Sequence, residues 1–144
     1  MAITRAGVET VLTARTGALL READMACEAG ANPHLSDPIA WAMRALGYGV
    51  GSLATVTDAD LQAVAPHHID ALLDLAELRT LESVGGNLAA VDVTVGPVSE
   101  RRSSLGPRVD KLIETKRAAV QARWGGVLRE PLAEAGGNVS LLAL

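Results

Sequence analysis

The sequence predicts an all-α fold: a small bundle of about four helices, a long extended arm between the last two, and a flexible C-terminal tail. Three observations lead there. The chain is 49% hydrophobic but only 2% aromatic, with no Phe, so its core is built from Leu, Val and Ala, which favour helices. Apolar residues recur at helical spacing in each long segment. A single stretch alternates as a strand does, and one strand alone is not stable.

The first helix is expected over residues 4–23. Val8, Val11, Leu12 and Leu19 fall on one face together with the stem of Arg15, and Thr4 is placed to cap it. The polar loop "CEAGANPHL" follows. A short helix then opens at "SDP", with Ser36 as cap and Pro38 in the first turn, where a missing N–H costs nothing. Ile39, Ala42, Met43 and Leu46 share its face, and Gly47, Gly49 and Gly51 end it. "TVTDADL" then offers Thr57 and Asp60 as a capping box, and Pro66 breaks that turn.

A longer helical pattern then runs from beyond Pro66 to Ser83 or Val84. Ile69, Leu72, Leu73, Ala76 and Val84 lie on one side; Leu75, Leu78 and Leu81 lie nearly opposite. Such a helix needs cover on both faces, either from the first two helices or from a second copy of the chain. Gly85-Gly86 suits a left-handed cap, and "VDVTV" reads as an isolated strand, with Val91, Val93 and Val95 on one face. Its backbone partners would come from "GVGSLATV" or from a neighbouring copy. These features define the arm at about 85–106. A final helix is expected from about Pro107 to Trp124, or from near Ser99 with a kink at Gly106-Pro107. The helical domain then covers 1–126 and the tail 127–144, which ends in apolar "SLLAL".

The net charge of −4 argues against general nucleic-acid binding. Acids dominate from Asp58 to Val98, where seven face the single base Arg79; from Ser99 to Glu130 eight bases outnumber four acids. The two blocks are suited to pair, within one chain or between copies. The lone Cys27 fits a reducing compartment, the N-terminus lacks a secretory pattern, and no apolar run is long enough to cross a membrane.

Motifs for chemistry are partial. His67, His68, Asp70 and Asp74 have ligand-like helical spacing but lack converging ligands, so a metal hydrolase ranks last. Cys27 and His34 lack an orienting group and an oxyanion hole. Asp58 and Asp60 lack the rest of a calcium loop. No cofactor and no catalytic role are expected. The basic residues Arg101, Arg102, Arg108, Lys111, Lys116 and Arg117 leave a second reading open, a small helical DNA-binding or regulatory protein using 101–117, although the long stretch between the last two helices argues against a helix-turn-helix.

The order "NPHLSDPIAWAMRALGY", "TVTDADLQAVAPHHIDALLDLAELRTLESVGGN", "VDVTVGPVSE" and a last helix ending "RWGG" resembles the head–tail connector, or adaptor, proteins of long-tailed phages. The likeness covers 58–126 well and the first half loosely. It departs at Gly106-Pro107, where many relatives read as a smoother helix start. The resemblance implies a structural virion protein at the head–tail interface, made in the host cytoplasm. It implies a homo-oligomeric ring, a dodecamer, between the portal protein and a tail-side stopper or terminator protein, with DNA passing through without sequence-specific contact. On that reading Leu75, Leu78, Leu81, Val91, Val93, Val95, Arg101 and Arg102 are expected at subunit interfaces, and Leu132, Leu141, Leu142 and Leu144 on the portal.

Overall fold

The computed structural model describes residues 3–25, 32–51, 55–91, 96–130 and 132; at 89–91 and 96–105 only the backbone is considered. The fold is all-α. Its helices are α1 (Arg5–Glu22), α2 (Ser36–Ala45), α3 (Asp58–Gln62), α4 (Ile69–Val91) and α5 (Gly96–Trp124), with 3-10 turns at Pro33–Leu35 and Pro66–His68. No strand occurs among the described residues.

Local chemistry sets most boundaries. The Thr4 hydroxyl accepts from the Gly7 N–H at 3.1 Å and caps α1. Its far end closes in a Schellman arrangement: Met25 N–H donates to the Leu20 carbonyl, Asp24 N–H to that of Arg21, and Asp24 takes the left-handed conformation at φ 58°. The end of α2 repeats the arrangement with Gly47 at φ 91°, as Tyr48 and Gly47 N–H groups reach the Met43 and Arg44 carbonyls. The capping box of α3 forms as expected, and the Thr57 and Gly51 N–H groups hold the Asp60 carboxyl below the usual carboxylate range. Ser36, by contrast, does not cap α2. It is the first helical residue, Asn32 caps the preceding 3-10 turn, and the Ser36 hydroxyl accepts from Arg5 instead.

α4 is the central helix, in contact with α1, α2 and α5. Leu72 and Ala76 are buried on one side; Leu75, Leu78 and Leu81 are 0, 1 and 5% exposed. The two-faced pattern is thus satisfied inside one chain, and these three leucines are core rather than a free subunit interface. The reason is α5, which runs antiparallel along α4: Gly85 lies by Val109 and Ile113, Glu82 meets Arg117, and Asp74 meets Trp124.

Two sequence expectations change here. α4 continues through Gly85-Gly86 to Val91, and α5 begins at Gly96, so the extended arm at 85–106 is largely helix. Each glycine costs a helix roughly 0.5–1 kcal/mol. Burying Leu88 on the same face as Val84 offsets this by roughly 1.5–3 kcal/mol. α5 packs directly over Gly85: a Cβ built there would meet Ile113 Cδ1 at 3.4 Å and Val109 Cγ1 at 3.5 Å, an ordinary packing contact. Val91 is therefore helical and not the first residue of a strand; Asp92 to Val95 lie outside the described residues. α5 passes through Pro107, which removes one helical donor in its interior.

A buried polar cluster fastens the first half. Glu9 is fully buried and pairs with Arg5 at 2.7 Å. The Arg5 guanidinium also donates to the Val56 and Asn32 carbonyls and to Ser36 Oγ, while Asn32 N–H donates to Glu9 at 3.1 Å. α1 is thereby tied to the segments preceding α2 and α3. Every donor of this cluster that faces the interior has an acceptor, the condition under which a buried ion pair is tolerated.

Candidate functional site

The acidic block of α4 and the basic block of α5 meet within the chain. Asp74 is the hub of the seam, accepting from Trp124 Nε1 at 2.7 Å and from Arg15 Nη1 at 3.1 Å. Lys116 Nζ stands 3.5 Å and Arg123 Nη1 3.4 Å from the same carboxylate. Glu77 joins it through Arg15 at 3.0 Å and Lys116 at 3.3 Å, and Arg117 pairs with Glu82 at 3.2 Å. Burial pushes the Asp74 carboxyl up, but the Trp124 indole N–H, the Lys116 charge and Arg15 outweigh it and hold it below the usual carboxylate value. The seam neutralises α4 and consumes two of the cations, Lys116 and Arg117, that the DNA-binding reading relied on.

The other sequence candidates scatter. His68 Nδ1 lies 2.6 Å from the Tyr48 hydroxyl, which also accepts from the Ala65 N–H at 3.0 Å. His67 lies beside His68 with ring centres 4.2 Å apart and planes tilted by 53°, Asp70 is exposed, and Asp74 serves the seam. Among the described residues no three His, Cys, Asp or Glu side chains gather closely enough to hold a metal ion. His34 is exposed, and Cys27 lies outside the described residues. Arg101 and Arg102 fall on the helical backbone of α5. Val93, Val95, Leu141, Leu142 and Leu144 lie outside the described residues.

The chain beyond 126 does not leave the helical body at once. The Arg129 N–H donates to the Ala45 carbonyl at 2.7 Å, the Leu132 N–H to Gln121 Oε1 at 3.2 Å, and Leu128 and Leu132 rest against the core. Leu132, expected on the portal, is thus partly covered by its own chain. No described helix is long and apolar enough to cross a membrane.

Sequence reading missed a groove of about 380 Å³ between α2, α4, α5 and residues 129, 130 and 132. Its signals were present: Trp41 is one of only two Trp in the chain, and Arg44 follows it at helical spacing. What was absent was any local cue that Arg79, Arg117 and Arg129, from three distant segments, arrive at the same place. Compared with protein-family models, with curated proteins and with solved structures, the chain matches none.

Proposed function

We propose that the chain is a structural connector, a subunit of a ring that joins a phage portal to the tail-side proteins, and that it acts by assembly rather than catalysis. The observation that carries the reading is the coincidence of likeness and architecture. The stretch that resembles head–tail connectors, 58–126, spans the last three α-helices, α3, α4 and α5, and ends two residues past Trp124. Within it, α4 and α5 pack together where Gly85 meets Val109 and Ile113. The covered leucines move the expected subunit contacts away from the middle of α4 to the N-terminal part of α5, where Arg101 and Arg102 lie in sequence. The DNA-binding alternative loses support from the same geometry, because Lys116 and Arg117 are engaged by Asp74, Glu77 and Glu82.

Co-expression with the portal protein encoded in the same genome, followed by negative-stain imaging, tests the reading. The expected result is an added layer at one end of the portal ring. Portal rings that remain bare at saturating amounts of folded chain would overturn it.

A further inference from the structure

The groove between α2, α4, α5 and residues 129, 130 and 132 has an apolar wall and a cationic rim. Trp41, Ala45, Leu78 and Leu132 form the wall. Four guanidiniums surround it, from Arg44, Arg79, Arg117 and Arg129. Two of these are engaged. Arg117 pairs with Glu82 at 3.2 Å; Arg79 pairs with Asp37 at 3.1 Å and stands over the Trp41 ring at 5.6 Å. The side chains of Arg44 and Arg129 have no ion-pair or hydrogen-bond partner among the described residues, and both are exposed. The bond from the Arg129 N–H to the Ala45 carbonyl, one residue from Arg44, holds the two backbones together at one end of the groove.

We propose that this groove binds a peptide segment of a partner protein that presents a carboxylate side chain beside an apolar one. An unpaired guanidinium holds a carboxylate through two parallel hydrogen bonds. The indole and leucine wall takes the apolar neighbour, in the manner of a buried anchor beside a polar rim. The volume sits at the small end of the usual range for ligand pockets, roughly 300–1,000 Å³, and suits one or two side chains. A nucleic-acid strand fits less well. Glu82, Glu130 and Asp37 are interleaved with the arginines, and a phosphate backbone requires a continuous cationic track. The site lies partly on α2, outside the connector-like stretch, so the inference stands apart from the ring proposal and the two can fail separately.

The test is a titration of the ¹⁵N-labelled full chain with acetyl-Leu-Glu-Asp-Leu-amide. Acetyl-Leu-Gln-Asn-Leu-amide and a short DNA duplex serve as comparisons. Saturable shifts of the Trp41 indole N–H and of the Arg44 and Arg129 Nε–H signals are expected with the acidic peptide only. Arg44→Gln with Arg129→Gln should weaken binding at least about tenfold, the scale of losing a charge-assisted hydrogen bond. The rest of its spectrum should stay unchanged, because neither side chain holds the fold together. Equal shifts with the amide peptide, stronger binding of the duplex, no shift with the acidic peptide, or undiminished affinity in the double variant would each overturn the proposal.

Discussion

Replacing Gly86 by alanine is a sign test of the α4 boundary. If the helix ended at Gly85-Gly86 in a left-handed cap, as the sequence suggests, alanine there would cost about 1–2 kcal/mol. In the structure Gly86 is a helical interior residue without a positive φ, and a Cβ built on it meets nothing within 4 Å. Alanine then gains only the difference in helix propensity, about 0.8–1 kcal/mol in favour of the folded state. For a domain of this size that raises the Tm by roughly 3 °C. Circular dichroism melts and urea titrations of both proteins measure it, with the urea slope unchanged because no extra surface is buried. A fall in Tm for Gly86→Ala would refute the continuous α4, and with it the account of how Leu88 and α5 are seated.

Three further outcomes follow from the packing. Leu78→Asp with Leu81→Asp should unfold the isolated chain, because each places a charge at a site 5% exposed or less; loss of the cooperative melt checks it, and a stable folded variant would return these leucines to a subunit interface. Glu9→Leu should destabilise by about 3–5 kcal/mol, since it leaves the Arg5 guanidinium buried without its carboxylate; denaturant titration measures it. The Asp74 carboxyl is held below its ordinary value in the folded state, so its contribution is present in full above about pH 5 and is lost as the pH falls through the lowered value, below about pH 4. Asp74→Asn should therefore be less stable than the parent at pH 7, and the gap should narrow in acid; a gap that is constant with pH would contradict the seam.

What the sequence disclosed depended on how local the controlling physics is. Thr4, the Thr57–Asp60 box and Gly47 act on atoms within a few residues of themselves, and each boundary they mark is where it was expected. The two apolar faces of α4 were equally plain, because periodicity is local too. Which body covers the second face is a long-range fact: the choice between the first two helices and another subunit has no signature in a single segment, and neither offered α5. Gly85-Gly86 misled for the same reason. Their intrinsic preference is to stop a helix, but the burial of Val84 and Leu88 and the close approach of Val109 and Ile113 decide otherwise. Opposite charge blocks on 58–98 and 99–130 foretold a pairing, and only the antiparallel register assigns Asp74 to Trp124 and Lys116. The groove was illegible because its arginines come from four separate segments.

A chain able to cover its own leucines is proposed to work still as one piece of an assembly. Light scattering of the purified chain, alone and after mixing with portal rings from the same genome, addresses that directly. The chain alone should have the mass of a single folded copy, and the portal peak should gain the mass of a full ring of copies. A portal peak of unchanged mass beside a folded, unbound chain would contradict it.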